Sequence, residues 1–142
     1  MTNVRIKLDT QTIQNLALFE KVTKASVKDC IEKDDEIIFI IDKKDFGKAI
    51  GRNGSNVKKM EQKLRKKVTL LKFDSNPEKF AENLLKPVPV KKASIENNDE
   101  NQKILNIVIK SSQRAFPSKK VKKTKTLLKK YFPEIQEVII RV

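Results

Sequence analysis

The chain has 142 residues, enough for one ordinary domain or two small ones. Its 32 Lys and Arg against 18 Asp and Glu leave a formal charge of +14, a self-repulsion that calls for an anionic partner. With no histidine and one cysteine, a disulfide within the chain, a Cys/His zinc site and His-dependent catalysis are all excluded.

Nucleic acid is the preferred anion, because basic side chains gain affinity by displacing its condensed counterions. The longest wholly apolar run, Ile37 to Ile41, is too short to cross a bilayer, and an anionic membrane surface ranks lower. The opening MTNVRIKLD has no apolar h-region, so a cytoplasmic location is expected. The acidic residues are scattered without catalytic spacing. No enzyme, metal, cofactor or small-molecule substrate is therefore expected, and Cys30 reads as a small core residue. A hydrophobic share of 38% beside 35% charged residues is enough for a core, so the chain should fold.

In chain order, VRIKL at residues 4–8 alternates as a short strand would. Asp9 or Thr10 then caps a helix running to about Lys24, with Ile13, Leu16, Ala17 and Phe19 facing inward. ASVKDCIE reads as a strand packing through Val27 and Ile31, and the β-branched run EIIFIID as a buried one. The glycines follow. A helix from about Ser55 to Lys66 then places Val57, Met60 and Leu64 on one face, and Lys58, Lys59, Lys63 and Arg65 on the other. VTLLKF, residues 68–73, closes the unit as a strand.

The pattern then restarts. Ser75 or Asn76 before Pro77 is a helix start, because proline at the first helical position loses no hydrogen bond. Phe80, Ala81, Leu84 and Leu85 form its inward stripe, and Pro87 and Pro89 end it. VPVKKASIE and KILNIVIK read as strands joined by the polar ENNDEN. A helical turn over 111–115 precedes a helix over 118–131 that carries Val121, Thr124, Leu128 and Tyr131 on one side, and IQEVIIRV ends the chain as a strand. Setting Val57 on Val121 puts Leu64 on Leu128. Setting Ala49 on Ala115 then makes the second copy two residues shorter at the loop between the helices. The chain therefore reads as an internal duplication, with units 1–74 and 75–142.

All three glycines, Gly47, Gly51 and Gly54, fall within GKAIGRNGSNVKK. Their spacing fits neither a P-loop nor the dinucleotide fingerprint. It does contain G-R-N-G, a GxxG loop between two helices. Without a Cβ, glycine lets a sugar-phosphate backbone approach the main chain closely, and the next helix brings its amide N–H groups to the same place. The plainer alternative is a turn between helices with no ligand.

The residues AIGRNGSNVKK, following IIFII and preceding an amphipathic helix and a strand, resemble the KH domain, whose GxxG loop clamps four backbone nucleotides. The element order is similar to the prokaryotic type II form. Two such units opened by VRIKLD and a helix containing ALFEKVT resemble the archaeal NusA family over nearly the whole chain. The resemblance implies an α+β fold of two tandem type II KH domains packed together, binding single-stranded RNA. It also implies a role in transcription elongation or termination on nascent RNA, with RNA polymerase as a further partner.

By that resemblance Gly51, Arg52, Asn53 and Gly54 take the clamp, with Lys48, Lys58 and Lys59 adding charge and Ile50 and Val57 forming an apolar floor for bases. The second unit departs from the pattern: Pro117-Ser118-Lys119-Lys120 stands where a second GxxG is expected. Nine basic residues and no acid lie between Lys110 and Lys130, so Lys119, Lys120, Lys122 and Lys123 are expected to form an auxiliary electrostatic patch. A solvated face is the plainer alternative there. A ribosome-associated or ribosome-assembly KH protein is the alternative within RNA biology, and a protein-interaction adaptor with a basic face the alternative outside it. Changing Gly51 and Gly54 together to Asp is expected to abolish RNA binding with the fold intact.

Overall fold

The computed structural model describes residues 10–110 and 118–142. The expected strand over residues 4–8 and the helical turn over 111–115 lie outside the described residues. Two compact units divide the chain, Met1–Phe73 and Asp74–Val142.

In the first unit, helix α1 (Thr10–Thr23) leads to strands β1 (Val27–Glu32) and β2 (Glu36–Asp42). A 3-10 turn at Lys43–Asp45, the short helix α2 (Phe46–Ile50) and a second 3-10 turn at Arg52–Gly54 follow. Helix α3 (Ser55–Leu64) and strand β3 (Lys67–Phe73) complete the unit. The sheet order is β1-β2-β3, antiparallel between β1 and β2 and parallel between β2 and β3. The central strand takes the most apolar segment of the chain, and Ile37 to Ile41 are all buried. Ile37, Phe39 and Ile41 share one core with Phe19 of α1, Ala49 of α2, Met60 of α3 and Val68 of β3. The Phe19 ring stacks on that of Phe39 at 4.3 Å between centroids. Cys30 is buried in the same core.

Helix α1 turns only part of the expected face inward: Phe19 is buried and Leu16 packs against the core, but the other two members are not buried. Ile13 is 52% exposed and Ala17 is also exposed, whereas Asn15, Phe19 and Thr23 are buried. The two buried polar residues are satisfied, which removes the usual penalty on burying them. The Asn15 amide donates to Glu32 Oε1 at 3.1 Å and accepts from Gln11. The Thr23 hydroxyl donates to the Phe19 carbonyl at 2.8 Å.

The second unit repeats the design with α4 (Pro77–Leu85), β4 (Val90–Asn97), β5 (Lys103–Ile109), α5 (Ser118–Tyr131) and β6 (Ile135–Arg141). Its sheet order is β4-β5-β6, again antiparallel and then parallel. Asn76 caps α4 by accepting from Glu78 N and Lys79 N, with Pro77 entering the first turn, in line with the capping chemistry of these residues. Phe80, Ala81, Leu84 and Leu85 are all buried. On α5 the fully buried residues are Thr124, Leu127 and Leu128, while Val121 and Tyr131 are only half-buried. Leu127 thus replaces the two outer members of the expected stripe.

The two sheets share a detail that composition does not reveal. The pairing of β1 with β2 shifts register between Val27 and Asp29, and that of β4 with β5 between Val90 and Lys92. Each shift falls at the second residue of the unit's first strand, so the units share this irregularity; β5 and β6 shift once more, between Lys103 and Ile104, where β2 and β3 do not. Among the described residues no helix is long and apolar enough to cross a membrane.

Candidate nucleic-acid interface

The loop between α2 and α3 is built from backbone conformations that few residues accept. Gly51 has φ 76 and ψ 174, Asn53 φ 56 and ψ 30, and Gly54 φ 73 and ψ 19. The left-handed region costs an ordinary L-residue roughly 1–2 kcal/mol and is more tolerable for Asn. Asn53 therefore occupies the position between Arg52 and Gly54 at little cost. The Gly51 conformation lies in a region open in practice to glycine alone. A side chain there would also collide, because a Cβ on Gly51 would lie 2.9 Å from Asn56 Cγ, Asn56 Nδ2 and Ser55 Oγ.

Gly54 needs its φ but not its space, since nothing lies within 4 Å of a Cβ built there. Gly47 needs neither, having open space and no positive φ. The three glycines that look alike in the sequence are thus graded by geometry.

Short main-chain bonds tie the loop to its flanking helices. Gly51 N donates to Gly47 O at 3.1 Å, Gly54 N to Gly51 O at 3.3 Å, and Ser55 N to Arg52 O. The Asn56 side-chain amide donates to Lys48 O at 3.0 Å and so bridges α2 and α3 across the loop. Helix α3 begins at Gly54 without a side-chain cap, which leaves amide N–H groups of its first turn facing the loop. Such a helix start favours an anion.

The residues expected to touch RNA fall on this loop and its neighbours. Lys48, Arg52, Asn53, Lys58 and Lys59 are exposed, and Ile50, Gly51, Gly54 and Val57 are half-buried. Lys48 lies 4.0 Å from Asp45, a weak surface pair. Val57 packs partly against the core of its own unit, so only part of its side chain remains for a ligand. Met60 is fully buried one turn further on and fixes the rotation of α3, which turns Lys58 and Lys59 outward.

Of the second unit's expected patch, Lys119 and Lys122 are exposed and Lys123 is half-buried. Lys120 is already engaged, its ammonium donating to the Lys86 carbonyl at 2.5 Å. Pro117 lies outside the described residues. Asn56 escapes a reading of the sequence, where its only signal is a short amide side chain two residues after Gly54.

A family model described as "KH domain" matches residues 13–73. The chain is 39% identical over 85 residues to the "Probable transcription termination protein NusA" of Methanococcus vannielii, an alignment covering 60% of this chain and 49% of the relative. The protein of the same name from Methanocaldococcus jannaschii is 34% identical, covering 59% and 46%. The chain thus spans about half the length of these two relatives. It covers 68% of the Halococcus morrhuae protein of that name, at 35% identity over 67% of this chain. The crystal structure of APE1850 superimposes with a TM-score of 0.74 at 22% identity, covering 94% of this chain and all of that one, which is a likeness of fold.

Proposed function

Because the chain belongs to the archaeal NusA family of KH-domain proteins, we propose that it binds single-stranded RNA and acts on nascent transcripts in elongation or termination. The observation that carries this reading is the loop at residues 51–54. Its three positive φ values hold the backbone open beside an uncapped helix start, with Arg52, Lys58 and Lys59 exposed around it. Phosphate oxygens suit that arrangement, since they are anionic, accept hydrogen bonds and need close approach to main-chain N–H groups. In KH modules such a loop clamps the sugar-phosphate backbone of about four nucleotides while unstacked bases are read alongside. Ile50 and Val57 supply the apolar surface for those bases. Binding of this kind moves no proton and breaks no bond, so no catalytic residue is assigned. In this reading the protein works in the cytoplasm, and each of the two units is a KH domain.

The Gly51→Asp, Gly54→Asp pair would confound binding with loop damage, because any side chain at Gly51 disturbs the loop itself. Arg52 is exposed, and Gly54 has room in a conformation that strains Asp less than most residues, so the less disruptive test changes these two. The Arg52→Asp, Gly54→Asp protein should still unfold cooperatively, its midpoint lowered by roughly 4–8 °C for the strained φ at position 54. Its affinity for short single-stranded RNA should drop by about 100-fold or more, as a charge reversal and an added carboxylate face the phosphates. Undiminished binding would favour an adaptor that meets an acidic protein. Capture of RNA polymerase rather than ribosomal subunits by the unsubstituted chain supports the transcription role, and the converse supports the ribosomal one.

A further inference from the structure

Asn56 lies at the second position of α3 and holds a carbonyl at the far end of the loop. Lys48 O sits in the last turn of α2, where carbonyls have no partner further along the helix. A carbonyl oxygen only accepts, so the Asn56 amide nitrogen must face it, and it does so at 3.0 Å. The same carboxamide, together with Ser55 Oγ, crowds the place of a Cβ on Gly51, which would lie 2.9 Å from Asn56 Cγ and Nδ2. One side chain therefore joins the helix before the loop to the helix after it and, with Ser55, closes off the space beside Gly51.

We propose that Asn56 is the positioning residue of the loop, fixing Gly51 in the conformation that receives a phosphate backbone without contributing the main contact itself. The binding part of this inference rests on the RNA reading above; the loop-setting part does not. The second unit supplies a counterpart. With Val57 set on Val121, the position of Asn56 is held by Lys120, which reaches the carbonyl of Lys86 just beyond α4. The same helix position thus serves as a brace in both units. In the first it braces the clamp, and in the second it braces the end of the unit's first helix, leaving Lys120 committed to a main-chain oxygen instead of a ligand.

Two substitutions separate the brace from shape and from charge. Asn56→Leu keeps nearly the same outline and removes the donor, while Asn56→Lys installs the second unit's residue and adds a positive charge. Both should weaken binding to short single-stranded RNA by about 3- to 10-fold, the loss of one hydrogen bond's ordering effect. The Lys variant should do so despite its extra charge.

A second readout needs no RNA. All three glycines lie between residues 47 and 54, so protein labelled with ¹⁵N-glycine gives a spectrum of this loop and of Gly47 in α2 just before it. In both variants the Gly51 amide should shift and gain fast motion, while the unfolding transition stays cooperative. Unchanged affinity in the Leu variant, or tighter binding in the Lys variant, overturns the proposal. If the unsubstituted chain binds no RNA, the functional reading falls and the glycine spectrum decides the brace. An unmoved Gly51 resonance then overturns it, and a displaced, mobile one upholds it.

Discussion

The two units place the same strands in the same order and slip register at the same point, yet they use the space around their longest basic helix differently. Where α3 of the first unit puts Met60 into its core, the Val57–Val121 correspondence puts Thr124 there in α5. Both are fully buried. Where α3 has Asn56 on the Lys48 carbonyl, α5 has Lys120 on that of Lys86. The first unit carries three glycines at its loop; the second unit carries none and holds seven lysines between Ser118 and Tyr131. A parallel strand pair with a helical crossover tolerates such drift, because its core needs volume and apolar character at a few positions. The loop at Gly51–Gly54 does not tolerate it, because a left-handed backbone is available cheaply only to glycine and a few polar residues.

The largest effect on this contrast is expected at Gly51. Gly51→Ala should cost about 1–3 kcal/mol in loop strain and reduce RNA affinity by roughly 10- to 100-fold. Gly54→Ala should cost about 1–2 kcal/mol, since only its φ is unfavourable. Gly47→Ala should stabilise the fold by about 0.5–1 kcal/mol, as alanine favours a helix. Thermal unfolding together with RNA titration ranks the three, and an equal response from all of them would remove the grading that the backbone implies.

Charge separates the units as well. On the proposed role of the second unit, Lys119→Gln with Lys122→Gln should flatten the salt dependence of single-stranded RNA binding. The log–log slope should fall by about 0.7 for each phosphate that these lysines neutralise. Lys120→Gln should leave that slope unchanged and lower stability instead, because its partner is the Lys86 carbonyl. Titrations across a range of salt concentrations distinguish these outcomes. A slope untouched by the Lys119 and Lys122 changes would reduce the patch to a solvated face.

A small effect on stability alone is expected at Thr124. Its hydroxyl is buried and finds no hydrogen-bond partner among the described residues. Thr124→Val keeps the shape and removes the unsatisfied group, so it should stabilise the chain by about 1 kcal/mol in denaturant unfolding. Destabilisation would mean that the hydroxyl has a partner after all.

Much of the architecture is legible in the residues because it depends on local rules. EIIFIID is short and β-branched as a buried strand is, Asn76-Pro77 is a helix start by capping chemistry, and Phe80, Ala81, Leu84 and Leu85 follow helical spacing into the core. The face of α1 is misread for an equally physical reason. Counting apolar residues favours Ile13 and Ala17, but Asn15 and Thr23 go inward because Glu32 and the Phe19 carbonyl meet their polar atoms. Those partners are 17 residues away in one case and on the preceding turn in the other, and periodicity registers neither.

Residue type and spacing along the chain were enough to reveal the repeated order of elements, the excess of positive charge and the single cluster of glycines. Folding alone settled which glycine has neither the space nor the φ for a side chain, which lysine is occupied and which amide meets the Lys48 carbonyl. These depend on atoms brought within about 3 Å of one another, and a hydrogen bond or a clash is defined only at that distance.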